Sequence, residues 1–152
     1  MKPQKTRILL IALACLGLGA AASRYVAAQA GPALAAAPAG KPTRLALLWT
    51  TADPEVAHKM AFMYLHNSQK NRWFDENVLI VWGPSARLLS NDKDLQARVQ
   101  AMMKDGIRVQ ACVACADMYG VAGRLRELGI EVKGMGKPLT EYLQGDWRVL
   151  SL

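Results

Sequence analysis

The sequence predicts a three-layer α/β/α sandwich built on a mainly parallel five-stranded sheet, and two observations carry this prediction. Short apolar segments alternate with amphipathic ones from residue 43 to residue 152, in the order β-α-β-α-β-α-β-α-β. Strand–helix–strand units of this length connect parallel strands by right-handed crossovers, which places helices on the faces of the sheet. Most of the predicted strands are unbroken apolar runs, as expected for strands buried on both faces.

Turn and breaker residues bound the predicted strands. The first strand, RLALLWT, ends at Thr-Thr-Ala-Asp, and the second, NVLIVW, ends at Gly83-Pro84. The third, IRVQA, alternates apolar and polar residues, so we expect it to be less buried than the others. The predicted strands are residues 44–50, 77–82, 107–111, 130–135 and 147–152.

Capping residues mark the predicted helices between these strands. Asp53 is a good N-cap and Pro54 a good first residue for the first helix. Asn91 is the expected N-cap of a later helix that ends before Gly106, and Gly129 is the expected C-terminal glycine of the next one. The predicted helices are residues 54–69, 92–104, 116–128 and 139–144, with a further helical turn at residues 85–89.

Residues 1–30 are predicted to be a secretory signal peptide. A short basic head precedes an apolar run, and the Ala-Gln-Ala triplet at residues 28–30 fits the small-x-small cleavage rule. The apolar run is shorter than the ~20 residues of a membrane-spanning helix, which disfavours an anchor. Cys15 follows only a partial lipobox, so a lipidated cysteine is the less favoured alternative. The protein is therefore expected to be periplasmic, with no membrane attachment after cleavage.

Residues 31–42 are dominated by Ala, Gly and Pro, and they are predicted to form a flexible linker. Residues 43–152 then form one compact α/β domain. Signal cleavage removes four of the 19 basic residues and none of the 12 acidic ones, so the net charge falls from +7 to +3. The basic residues that stay are scattered, and we therefore expect no nucleic-acid partner.

The expected functional edge of the domain lies beyond the carboxyl ends of the parallel strands, where ligands bind in open sheets of this kind. Four segments reach that edge, and one of them carries both cysteines of the mature chain, Cys112 and Cys115. These segments are Thr50-Thr51, Gly83-Pro84-Ser85, Cys112-Val113-Ala114-Cys115 and Gly134-Met135-Gly136-Lys137.

The C-x-x-C spacing at the start of a helix predicts thiol chemistry at Cys112 and Cys115. Free N–H groups at a helix N-terminus stabilise a thiolate, so the pKa of a cysteine there is expected to fall. Two such thiols can act as attacking and resolving partners. A plain stabilising disulfide is the alternative, but so short a loop constrains little of the unfolded chain.

A metal site is a weaker interpretation of the same motif, because C-x-x-C supplies only half of a zinc site. His58 and His66 have no spacing that directs them to the cysteines, and Met60, Met63, Met102 and Met118 are assigned to helix core positions. We therefore predict no metal and no cofactor. A thioredoxin-type oxidoreductase shares the C-x-x-C, but here the motif follows the third strand and no Trp precedes it.

The segments VQACVACADMYG (residues 109–120), LRELGIEVKGMGKPLTEYL (residues 125–143) and VLIVWGPSARLL (residues 78–89) resemble the DsrE-like sulfur-relay family. The resemblance covers essentially all of residues 44–152. It implies an α/β/α sandwich that assembles into trimers or hexamers and exchanges sulfur with a donor or acceptor protein. It also implies a sulfur-accepting cysteine at the end of the third strand, which maps most directly onto Cys112. Its neighbour Cys115 is then a resolving thiol, an auxiliary thiol or itself the carrier. The predicted signal peptide is a departure from the cytoplasmic members.

Six further residues near the predicted edge are candidates for binding a substrate anion or a persulfide. Four offer hydroxyl groups, and two glycines would let a loop approach the thiols closely. Ordinary capping and turn roles are the competing interpretation. The residues are Thr50, Thr51, Ser85, Tyr119, Gly134 and Gly136. Trp49 and Trp82 end apolar strands and are candidates for shielding the thiols, with core filling as the favoured role.

The sequence thus predicts a periplasmic sulfur carrier that bears sulfane sulfur as a cysteine persulfide. Such a carrier is closer to a transferase than to a turnover enzyme. A thiol-disulfide oxidoreductase with a reversible Cys112–Cys115 disulfide is the second hypothesis, and a non-catalytic assembly or binding module is the third.

Overall fold

The computed structural model describes residues 43–152. The predicted signal peptide and linker lie outside these residues. The strands are β1 (Arg44–Trp49), β2 (Glu76–Val81), β3 (Arg108–Cys112), β4 (Glu131–Lys133) and β5 (Trp147–Ser151). Helix α1 has three consecutive segments: α-helical Pro54–Val56, π-helical Ala57–Ala61 and α-helical Phe62–Lys70. The other helices are α2 (Pro84–Asn91), α3 (Lys93–Lys104), α4 (Val113–Met118), α5 (Ala122–Glu127) and α6 (Gly136–Gln144).

The five strands form one sheet in the order β4-β3-β2-β1-β5, and every pairing is parallel. Leu47 at the centre of β1 lies opposite Leu79 on one side and Leu150 on the other. The connections from β1 through β4 all step in one direction, and only the last connection steps back across the sheet. Right-handed crossovers that run in opposite directions along a sheet place their helices on opposite faces. The last crossover, which contains α6, therefore lies on the face opposite to the others. The predicted three-layer α/β/α architecture is confirmed.

One face of the sheet carries most of the hydrophobic core, and we call it the major face. Alternate residues of the central strands point to it, among them Leu47, Leu79 and Ala111, and all three are fully buried. Residues of α1, α2, α3, α4 and α5 complete this cluster. Phe62 of α1 meets the indole ring of Trp49 edge-on, with ring centroids 5.0 Å apart. Trp49 therefore fills the core of the major face.

The opposite face, which we call the minor face, carries a smaller cluster. Its fully or nearly fully buried members come from β1, β2, β3, α4, α6 and the turn before α6: Ala46, Val78, Ile80, Cys112, Cys115, Met135 and Tyr142. Leu48, Trp82, Leu139, Trp147 and Val149 are only partly buried around this cluster. Among the described helices, α6 is the one that crosses this face.

Two helix boundaries differ from the prediction. The predicted helix over residues 116–128 is divided into α4 and α5, because Gly120 has a φ of 67° that no continuous helix accommodates. Asn91 ends α2 instead of capping α3. The N-cap of α3 is Asp92, whose carboxylate accepts hydrogen bonds from the N–H groups of Asp94 and Leu95. The predicted cap at Asp53 is present, with its carboxylate 2.8 Å from the Glu55 nitrogen.

Two burial predictions were wrong. Strand β3 is as buried as the central strands, because its polar Gln110 is bonded to Tyr142 and Glu131. Met60, Met63 and Met118 were assigned to the core, yet their exposed fractions are 51%, 50% and 77%. In the part of the chain that the structure describes, no helix is long and apolar enough to cross a membrane.

Candidate thiol site at the carboxyl end of the sheet

The two cysteines lie together on the minor face. Cys112 is the last residue of β3 and the N-cap of α4, and strand alternation points its side chain to the same face as Gln110. Cys115 is the third residue of α4. Both are free thiols, with exposed fractions of 5% and 6%, inside one apolar cluster.

Burial has the largest effect on the Cys115 thiol, which lies in the same apolar cluster as Cys112. Burial raises the pKa of the Cys115 thiol, and the hydrogen bond to Cys112 raises it further. The backbone N–H of Gly83 has the opposite effect, because it donates to the sulfur of Cys115. The predicted fall in pKa is therefore wrong for Cys115, since desolvation outweighs the N–H groups that face it.

Gly83 is a site residue that the sequence analysis treated only as the end of a strand. It follows β2 and is the N-cap of α2, with φ 66° and ψ −136°, a conformation essentially reserved for glycine. A Cβ at this position would meet no atom within 4 Å, so the requirement is conformational and not steric. The signal available in the sequence was the Gly-Pro pair at the carboxyl end of a strand, next to the strand that carries Cys112.

Trp82 and Met135 belong to the same cluster as the thiols. The register pairs Val81 with Ala111, so Trp82 and Cys112 are the next residues of adjacent strands. Trp82 is half-buried, whereas Met135 is fully buried. Trp82 is therefore placed to cover the thiols, while Trp49 faces the opposite side of the sheet.

The structure gives three of the predicted hydroxyl residues specific partners within the fold. The Thr50 hydroxyl donates to the Leu152 carbonyl over 2.9 Å, and the Thr51 hydroxyl accepts from the N–H of Asp53 over 3.0 Å. The hydroxyl of Ser85 is fully buried and lies 2.7 Å from the Trp49 carbonyl. These contacts are turn and strand-end roles, and they bring none of the three hydroxyls to the thiols.

The remaining candidates lie at the exposed edge of the site. The guanidinium carbon of Arg87 lies 5.3 Å from the ring centroid of Tyr119, in a cation–π contact. Gly134 and Gly136 have no positive φ, and a Cβ at either would meet no atom within 4 Å. No neighbouring atom therefore comes close enough to Gly134 or Gly136 to require glycine at these two positions.

A chain of polar groups crosses the minor face below the thiols. The Tyr142 hydroxyl donates to the Gln110 side-chain oxygen over 2.9 Å, and the Gln110 side-chain nitrogen donates to Glu131 over 2.6 Å. Lys133 bonds the other carboxylate oxygen of Glu131 at 2.7 Å. The hydrogen bonds from Lys133 and Gln110 lower the pKa of Glu131, against a smaller opposing effect of burial. This chain ties α6 to β3 and β4.

The two histidines are engaged elsewhere. His58 Nδ1 lies 3.0 Å from a guanidinium nitrogen of Arg98, and His66 Nε2 lies 2.6 Å from the carboxylate of Asp105. Within residues 43–152, no group of three or more His, Cys, Asp or Glu side chains could hold a metal ion.

Solved structures resemble this fold, among them the following three. BT1422 from Bacteroides thetaiotaomicron, a conserved protein of unknown function, is 38% identical with a TM-score of 0.69, over 72% of this chain and 94% of that one. MTH1491 from Methanobacterium thermoautotrophicum, also of unknown function, is 18% identical (TM-score 0.60), and the ychN protein from E. coli is 15% identical (TM-score 0.51); each match covers 72% of this chain and 99% of the other. The last two support the fold alone. No family model and no curated protein matches the sequence.

Proposed function

We propose that this chain, which belongs to the DsrE/YchN fold family together with BT1422, is a sulfur carrier that holds sulfane sulfur as a persulfide. The observation that carries the proposal is the pair of free, hydrogen-bonded thiols at the carboxyl end of a parallel sheet. This is the edge at which open α/β sheets bind their ligands.

Cys112 is the better candidate for the sulfur-bearing residue. It ends β3 and is the N-cap of α4, at the edge of the sheet, whereas burial raises the pKa of the Cys115 thiol and so disfavours its nucleophilic thiolate form. The Cys112 thiolate attacks a terminal sulfur of an inorganic polysulfide. A new S–S bond forms at Cys112, one S–S bond of the polysulfide breaks, and a polysulfide shorter by one sulfur leaves with the electron pair.

The apolar surroundings suit a carrier more than an enzyme with a broad substrate cleft. Ile80 and Met135 are fully buried in the same cluster as the thiols, and Trp82 is half-buried beside them. Exclusion of water protects a reactive group from side reactions. A persulfide formed here is held away from solvent, because Cys112 and Cys115 are 5% and 6% exposed.

We also propose that the protein is exported and assembles into homo-oligomers through the minor face. Partly buried apolar side chains on that face, among them Leu48 and Val149, support self-association. Light scattering of the mature chain in solution tests the assembly. We expect an oligomer for the wild type and a monomer for the variant Val149→Glu. An unchanged oligomer in that variant, or a monomeric wild type, contradicts this part of the proposal.

The second candidate function is thiol-disulfide exchange, which the direct hydrogen bond between the thiols favours. The two functions differ in what accumulates on the protein. A carrier gains sulfur, whereas an oxidoreductase cycles between a dithiol and a Cys112–Cys115 disulfide.

The test is intact mass spectrometry of the mature protein after incubation with polysulfide, beside the variants Cys112→Ser and Cys115→Ser. The expected result is a gain of about 32 Da per sulfur in the wild type and in Cys115→Ser, absent from Cys112→Ser and reversed by a reductant. A chain that gains no sulfur and only loses about 2 Da by disulfide closure contradicts the carrier and favours thiol-disulfide exchange.

A further inference from the structure

We infer that Cys115 discharges the persulfide on Cys112 by releasing its outer sulfur as sulfide, which makes the carrier self-limiting. This inference rests on the proposed function and deepens it. It assigns separate roles to the two thiols, and it names hydrogen sulfide as the product that leaves when no acceptor protein takes the sulfur.

The geometry of the pair supports this division. Cys112 has the extended conformation of an N-cap residue (φ −70°, ψ 114°), and Cys115 lies three residues on in the first turn of α4. The two sulfurs are already within hydrogen-bonding contact and share one apolar cluster. An intramolecular thiol in this position has a high effective concentration relative to any thiol in solution.

The chemical step balances without a further reactant. The Cys115 thiolate attacks the inner sulfur of the Cys112 persulfide, and the Cys112–Cys115 disulfide bond forms as the persulfide S–S bond breaks. The outer sulfur leaves with the electron pair as hydrosulfide, which keeps its own hydrogen and takes up the proton that Cys115 loses. The sulfane sulfur is reduced to hydrogen sulfide, and the two cysteine sulfurs are oxidised to the disulfide.

Protonation of Cys115 controls when this step occurs. The pKa of the Cys115 thiol is raised, chiefly by burial, so near neutral pH the thiol stays protonated and does not attack. The Gly83 N–H faces the Cys115 sulfur and stabilises the thiolate once it forms. The persulfide therefore persists near neutral pH, and its discharge is expected to become faster as the pH rises beyond the ordinary range of a cysteine.

The experiment follows discharge after loading with polysulfide. Wild type, Cys115→Ser and Cys115→Ala are desalted into sulfur-free buffer, and intact mass and dissolved sulfide are measured over time. For the wild type, we expect the gain of about 32 Da to give way to a loss of about 2 Da from the reduced mass, with one sulfide released per chain. In both variants, the persulfide should last roughly tenfold longer or more.

A pH series on the wild type supplies a second readout. Disulfide closure should accelerate with pH up to and beyond the ordinary pKa of cysteine, while the variants show no such closure. Equal persulfide lifetimes in the wild type and both variants would overturn the inference. Release of sulfide without formation of a disulfide would also overturn it. Either result would leave the proposed carrier function standing. If no chain gains sulfur, the proposed function fails, and the inference fails with it.

Discussion

The two faces of the sheet differ in how they are covered, and that difference separates stability from chemistry. The major face is covered by residues of five helices, and its core side chains are almost all fully buried and apolar. The minor face is crossed by the nine-residue helix α6, and it contains a polar chain, partly buried aromatic residues and both thiols. The topology produces this asymmetry, because only the last crossover steps backward across the sheet.

The comparison teaches where reactive groups are tolerated in so small a domain. A densely packed apolar face supplies most of the free energy of folding and tolerates little change. Elements with fewer buried contacts open locally at lower free energy, and functional groups are drawn from such regions. Cys112 and Cys115 lie on the thinly covered side, in the smaller of the two clusters.

The largest expected effect comes from truncating the major face. Phe62→Ala removes a fully buried ring that contacts Trp49, and it should lower the free energy of unfolding by about 3–5 kcal/mol. Leu139→Ala on the minor face is the control, and its cost should be clearly smaller because Leu139 is only partly buried. Urea denaturation measures both. Equal losses would contradict the division between the faces.

Gly83→Ala should have the next largest effect. Alanine in the backbone conformation of Gly83 costs about 1–3 kcal/mol in stability. The N–H that faces Cys115 belongs to this same residue. Gly134→Ala is the matched control, since that residue has no positive φ and open space at its Cβ. Thermal unfolding compares the two variants. A Gly83→Ala protein as stable as Gly134→Ala would show that the turn is not strained by a side chain.

Tyr142→Phe tests the polar chain on the minor face. Loss of the hydroxyl leaves the side-chain oxygen of buried Gln110 without its donor, which should cost about 1–2 kcal/mol. Tyr64→Phe, on an exposed residue of α1, should be close to neutral. If both substitutions are neutral in chemical denaturation, the link between α6 and β3 contributes less than the structure indicates.

Substitution of Glu131 should have the smallest effect on stability, and that effect should depend on pH. Because its pKa is lowered in the folded state, its ionised form stabilises the protein above the ordinary glutamate pKa, and this contribution is lost as the pH falls through the folded value. The stability difference between wild type and Glu131→Gln should therefore shrink on acidification from pH 7 to pH 3. Glu127→Gln, on an exposed residue of α5, serves as the control. A difference that stays constant over this range would contradict the shift.

The sequence was sufficient for the architecture and for the placement of the cysteines, because apolar strands, caps and breakers are local signals. Asp53 and the C-x-x-C at the end of β3 illustrate this. The pKa of Cys115 depended on tertiary burial, which local helix geometry does not report. Gln110 appeared solvent-facing because its partners, Tyr142 and Glu131, are distant in the chain. Met60 has helical spacing, but its face of α1 has no covering element in the described fold.

The central claim is that the thiols of the minor face carry sulfur in the working protein. Its most direct test is to block thiols with an alkylating reagent as cells are opened, then purify the mature chain and digest it with trypsin. Residues 109–124 form one tryptic peptide that contains both cysteines. The account predicts an added mass of about 32 Da on that peptide, located by fragmentation at Cys112, with Cys115 alkylated as a plain thiol. A peptide without added sulfur, with both cysteines as simple thiols, would contradict it.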